Sequence, residues 1–169
     1  NNLGNALTKQ GRHEEAVASF EAALEAQSHF PAAWNNRGLA LRELGRVDEA
    51  EASFRQAIQM QPKFAEAYLN LGNILKDQQN TLAALECFQI AIQHKSGFGP
   101  AHACRAVALL ELGRPTEALQ AFEATLKINP RDPDAWFGLG RTQRALGRSN
   151  DAEASYRRAI QIRPAFAEA

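Results

Sequence analysis

Written in rows of 34, the 169-residue chain aligns with itself without a gap. A period of that length belongs to repeated helix-turn-helix units, each of which can bury its apolar side only against the units before and after it. Numbering the row from Pro31 as one to 34, further rows open at Ala65, Gly99 and Pro133. A partial row ends at Phe30, and Ala167, Glu168 and Ala169 open a sixth. Position 20 is Ala16, Ala50, Ala84, Ala118 and Ala152, while position 24 is Phe20, Phe54, Phe88, Phe122 and Tyr156. Position eight reads Gly4, Gly38, Gly72, Ala106 and Gly140.

Within a row, positions four, seven, eight and 11 form one small or apolar face of a first helix. Positions 20, 24, 27 and 28 form the face of a second. Glycine at position 15 (Gly11, Gly45, Gly113, Gly147) suits the left-handed residue that closes the first helix, and an acid at position 19 (Glu15, Glu49, Glu117, Asp151) suits the positive start of the second. Proline at position 32 (Pro62, Pro130, Pro164) stops it. Small residues at positions eight and 20 let the two helices cross closely. The row from Ala65 breaks the turn rule: Gln79 and Asn80 replace Gly-Arg and Ala83 replaces the acid. Asn80 is expected to take the left-handed conformation there, and this turn to be the most mobile.

The aromatic, Gly, Leu, Ala, Phe, Ala and Pro spacing of Trp34, Gly38, Leu41, Ala50, Phe54, Ala57 and Pro62 resembles the tetratricopeptide repeat (TPR) family over essentially the whole chain. The row from Gly99 departs most, with His102, Arg105, Ala106 and Thr125 at family positions. The resemblance implies an all-α fold, a solenoid of about five antiparallel helix pairs wound as a right-handed superhelix. The chain then reads as one array over 1–169, with repeats at 1–30 (partial), 31–64, 65–98, 99–132 and 133–166.

Nineteen basic against nineteen acidic side chains give no net charge, so no global field draws nucleic acid or an anionic membrane surface. No apolar run approaches the roughly 20 residues of a membrane helix. Cys87 and Cys104 form no CxxC pair and favour a reducing, cytoplasmic compartment. No signal peptide shows at Asn1, and both ends read as cut inside a repeat. No HExxH, GxSxG, Walker loop or GxGxxG is present, so neither an enzyme, a cofactor nor a metal is expected. His13, His29, His94 and His102 fall at four different positions of the repeat; Cys87 and His94, seven apart, make too few ligands for a metal, and His102 reads as the filler of an aromatic slot. The column Arg12, Arg46, Arg114 and Arg148 offers either a phosphate stripe or, the preferred reading, local pairs with the acid three residues on.

The first-helix face left over by the core carries the candidate site. It reads Asn1, Asn2, Asn5, then Asn35, Asn36, Leu39, then Leu69, Asn70, Asn73, then Ala103, Cys104, Val107, Leu110, and finally Phe137, Gly138, Arg141, Arg144. It turns from amide-rich to apolar with a basic end. A carboxamide pairs with both N–H and C=O of a peptide without reading its side chains. Helices about 8–10 Å apart would meet every third residue of a strand rising about 3.3 Å per residue. Asn2, Asn36 and Asn70 repeat as rungs; with Asn5, Asn35, Asn73, Cys104, Phe137 and Arg141 they make the expected peptide-binding set. The ladder, with the text Pro62 to Gly72, is similar to the superhelical arm of O-linked N-acetylglucosamine transferases, and that resemblance implies a substrate-backbone role for Asn36 and Asn70. Glu66 and Asp134 argue against the clamp for acidic C-terminal tails that another branch of the family carries. The expected function is a protein-interaction scaffold for an extended peptide, or else the recognition arm of a larger enzyme. End-to-end self-association through Tyr156, Ile160 and Phe166 is a further expectation.

Overall fold

The computed structural model describes residues 1–164, so Phe166 and the residues assigned to a sixth row lie outside the described part. Ten helices and no strand occur among the described residues, in the order α1 Asn2–Lys9, α2 His13–Ala26, α3 Pro31–Glu43, α4 Val47–Met60, α5 Ala65–Asp77, α6 Thr81–His94, α7 Gly99–Glu111, α8 Pro115–Ile128, α9 Pro133–Ala145 and α10 Ser149–Ile162. From α3 onward first helices have 13 residues and second helices 14, the same in every row. The fold is all-α, a succession of helix pairs. By its internal contacts the chain divides between Ile74 and Leu75 into two compact units.

The turn chemistry explains the repeated lengths. Gly11, Gly45, Gly113 and Gly147 adopt φ between 68° and 75°, a region where a Cβ costs about 1–2 kcal/mol. In the exceptional row that conformation falls on Gln79 (φ 65°), the position of the glycines, and not on Asn80. Asn80 instead has φ −91° and its side-chain oxygen accepts from the Ala83 amide at 3.4 Å. It supplies a side-chain cap that α2, α4, α8 and α10 lack, where the N-cap arginine pairs with the acid three residues later.

In the first unit the core repeats as the sequence spacing requires. Phe20 and Phe54 are fully buried, as are Ala16 and Ala50. A Cβ added at Gly4 would stand 2.5 Å from the Phe20 ring and one at Gly38 2.7 Å from the Phe54 ring. Glycine at position eight is therefore the seat of the aromatic edge. One apolar expectation fails here. Arg37 holds position seven with its side chain only 15% exposed. Its guanidinium donates to Glu21 of α2 at 2.8 Å and to Ser53 of α4 at 2.7 Å, and it lies 5.7 Å above Trp34. Ser53, completely buried, donates its own hydroxyl hydrogen bond to the Glu49 backbone carbonyl. A charge at a core position is tolerated because the guanidinium and the buried Ser53 hydroxyl are both hydrogen-bonded.

The second unit changes the seat. Position eight is Ala106, fully buried in one cluster with Phe122, Leu109 and Leu139. The Phe122 ring lies where a Cβ at Gly138 of α9 would overlap its Cζ and Cε1. Ala106 holds the position at which Gly4 and Gly38 receive an aromatic edge, and the Phe122 ring lies against Gly138 of the next first helix, where a missing side chain makes room. The following aromatic, Tyr156, returns to the ordinary seat, with a Gly140 Cβ only 2.6 Å from its ring. Position 11, leucine in earlier rows, is Gln143 here and accepts from the buried Ser155 hydroxyl at 2.7 Å.

Candidate functional site

In the first unit the amides of the first-helix face bond to one another across helices. Asn70 Nδ2 of α5 donates to Asn35 Oδ1 of α3 at 2.9 Å, Asn35 Nδ2 to the adjacent Asn36 Oδ1 at 3.3 Å, and Asn36 Nδ2 to Asn5 Oδ1 of α1 at 2.9 Å. The same Asn36 nitrogen is 3.4 Å from Asn1 Oδ1. Three helices are thus threaded by a single polarised chain. The position-six amides Asn36 and Asn70 do not stand as separate rungs, because each reaches back to position five or nine of the row before. Asn35 is 6% exposed, a link inside the chain. Asn2 is exposed and takes no part, while Asn73 is half-buried. Each carboxamide has two N–H donors and an oxygen with two lone pairs, so the chain leaves an unspent acceptor at the Asn70 end and an unspent amino group at Asn5.

In the second unit the corresponding face is apolar and basic. Val107 of α7 and Phe137 of α9 are 39% and 38% exposed. They border a hollow of about 220 Å³ with Leu110, Gly138 and the Phe122 edge; Glu111, Asp134 and Arg141 are at its rim. Next to it, Phe137, Arg141, Arg144, Tyr156 and Ile160 enclose a second, more open hollow of about 450 Å³ between α9 and α10. The Phe137 and Tyr156 rings are 5.5 Å apart and tilted at 49°. Asp134 is engaged by Arg163 at 2.5 Å. Arg141 and Arg144 are exposed and have no ion pair or hydrogen bond among the described residues. Cys104 is half-buried on α7, and burial pushes its thiol up from the ordinary value, which disfavours the thiolate.

The arginine column resolves into local pairs. Arg12–Glu15, Arg46–Glu49, Arg114–Glu117 and Arg148–Asp151 lie at 2.5–2.8 Å. Hydrogen bonding to the guanidinium holds Glu15, Glu49 and Glu117 below the usual carboxylate range. The same bonds raise Arg12 and Arg46. These arginines are spent at helix starts. His102 uses Nε2 against the Ser96 carbonyl at 2.8 Å, six residues back, just as Trp136 Nε1 donates to the Pro130 carbonyl at 2.9 Å. It fills the aromatic slot and copies the indole's bond. Cys87 is buried while His94 is exposed. No group of three His, Cys, Asp or Glu side chains comes together among the described residues, and no helix there is long and apolar enough to cross a membrane.

Sequence reasoning placed Val107, Leu110, Phe137, Arg141 and Arg144 on one face. It missed Phe122, which reaches that face from α8, and the Arg37–Glu21–Ser53 triangle; Tyr156 and Ile160 of α10, singled out for self-association, line the hollow beside it. The available signal was a doubled exception: Ala106 where other rows have glycine, and an extra glycine, Gly138, one row later.

Paired helices of fixed length, closed by a left-handed residue and locked by an aromatic-on-glycine contact, define a helical-repeat protein. The family model "Tetratricopeptide repeat" matches residues 1–63, 40–100 and 105–165, and the chain belongs to that family. Superkiller protein 3 of Saccharomyces cerevisiae is 33% identical over 58 residues, 34% of this chain and 4% of that protein. The chain thus spans a small part of the curated relative it matches. Among solved structures, MamA superposes with a TM-score of 0.85 at 20% identity, covering 98% of this chain and 97% of that one. YrrB, described as a TPR protein with an unusual peptide-binding site, superposes with a TM-score of 0.79 at 25% identity, covering 96% and 84%.

Proposed function

We propose that this chain is a protein-interaction scaffold whose first-helix faces hold an extended segment of a partner protein. The observation that carries the reading is the polarised amide chain from Asn70 through Asn35 and Asn36 to Asn5. Its members fix each other's orientation before any ligand arrives, which reduces the ordering cost of binding. The unspent oxygen of Asn70 suits a peptide N–H and the unspent amino group of Asn5 a peptide C=O, so the chain favours one direction of the bound backbone. YrrB, alike in fold, is described as binding peptide, which supports the same reading here.

The test is binding of fluorescently labelled extended peptides to the wild type and to Asn36→Ala with Asn70→Ala. Each lost bond is worth about 0.5–1.5 kcal/mol, so the double variant should bind roughly tenfold or more weakly while its helical circular dichroism is unchanged. Equal affinities would sink the reading. The hollow of about 450 Å³ beside α10, with Tyr156 half-buried and Ile160 37% exposed, supports a second reading, association with another copy at that end. Sedimentation of the wild type should show concentration-dependent mass that Ile160→Glu removes; a strict monomer would refute it.

A further inference from the structure

We infer that the hollow floored by Gly138 and the Phe122 edge is a specificity pocket for one bulky apolar side chain of the bound segment, with a carboxylate beside it. The inference rests on the peptide-binding reading and deepens it. Gly138 stands at the position that carries Asn36 and Asn70 in the other unit. There an amide bonds back to the preceding first helix. At Gly138 the amide is absent, and Phe122, in one buried cluster with Ala106, forms an apolar floor in its place.

A volume of about 220 Å³ exceeds the roughly 150 Å³ that accommodates benzene in an apolar cavity. Leu, Met or Phe would fit. Val107 and Phe137, more than a third exposed, are the walls such a side chain would cover. Charge complementarity completes the description. Asp134 is already neutralised by Arg163, whereas Arg141 at the rim and Arg144 one turn further have no partner among the described residues. In an extended strand, side chains about two residues apart share a face and lie roughly 7 Å from each other. That spacing places an Asp or Glu of the ligand over α9 when its apolar neighbour is in the pocket. Glu111, on the α7 side of the rim, faces the ligand backbone and accepts an N–H.

The experiment uses labelled peptides of roughly ten residues with a central Leu, Phe or Ala and flanking Asp or Lys. The expected result is that Asp-flanked Leu and Phe peptides bind at least about tenfold tighter than the Ala peptide, the scale set by burying a few methylene groups. Gly138→Ala should abolish that preference without weakening the Ala peptide. Because Gly138→Ala presses on Phe122, Val107→Glu at the exposed mouth serves as a second variant with the same expected loss. Arg141→Ala should erase the preference for Asp over Lys and keep that for Leu over Ala. Binding without any preference for the central residue, or a preference that survives both pocket variants, would overturn the pocket alone. Failure of every peptide to bind would overturn the peptide reading and the pocket with it. A dimer in sedimentation that Val107→Glu dissociates would make a second copy the occupant and overturn the proposal.

Discussion

The two units solve one packing problem differently. In the first, Phe54 rests on Gly38 and the neighbouring first helices are joined by amides; in the second, Ala106 takes the glycine's place, Phe122 lies against Gly138, and the joining amide is gone. A bare glycine at this position thus goes with a polar seam in one place, and a methyl with an apolar hollow in the other. A repeat's surface chemistry is set by the seat of its core aromatic as well as by the residues on the surface.

The largest test of that contrast removes the rings. Phe54→Ala and Phe122→Ala should each cost about 3–5 kcal/mol in denaturant unfolding. Phe122→Ala should fall at the lower end, since its edge already borders an open hollow. A cost for Phe122→Ala above that of Phe54→Ala would break the comparison.

Next comes a double-mutant cycle. Gly138→Asn restores the amide position but collides with the Phe122 ring, at a cost of about 1–3 kcal/mol. With Ala106→Gly the ring regains its ordinary seat, so the pair should cost less than the sum of the single changes by at least about 1 kcal/mol. Additive costs would show that Ala106 does not set the ring's position.

A smaller effect separates the turn at Gln79 from its glycine counterparts. Gln79→Gly relieves a positive φ and should raise stability by about 0.5–1 kcal/mol, read as a higher melting midpoint. Gly45→Gln should lower it by a similar amount. The smallest effect is electrostatic. Glu15, Glu49 and Glu117 have folded values below their unfolded ones. Their contribution is therefore present above the ordinary carboxylate value of about 4.3 and is lost as pH falls through the depressed folded values. Melting in acid should show a drop that is blunted in Glu49→Gln, and more so in the triple Gln variant. An identical acid limb in all three proteins would remove these pairs from the account.

Much of the fold was legible because its period is local. The alanine and aromatic columns, the glycine turns and the acid at each helix start are all read within one row, and the helices begin at Pro31, Ala65, Gly99 and Pro133 as the spacing requires. The exceptions were legible only as exceptions. Asn80 was the natural candidate for the left-handed residue, because asparagine tolerates that region; the turn's geometry gave it to Gln79 and used the asparagine as a cap. Arg37 gave no sign that Glu21 and Ser53, each 16 residues away, would enclose it.

For this protein the sequence alone determined the helix pairs, their lengths and which residues share each first-helix face, since those follow from contacts within a few residues along the chain. Only tertiary structure decided what those faces present. Whether an asparagine bonds to its neighbour or waits for a ligand, and whether a glycine is empty or holds another helix's ring, depends on side chains that a residue's own row does not contain.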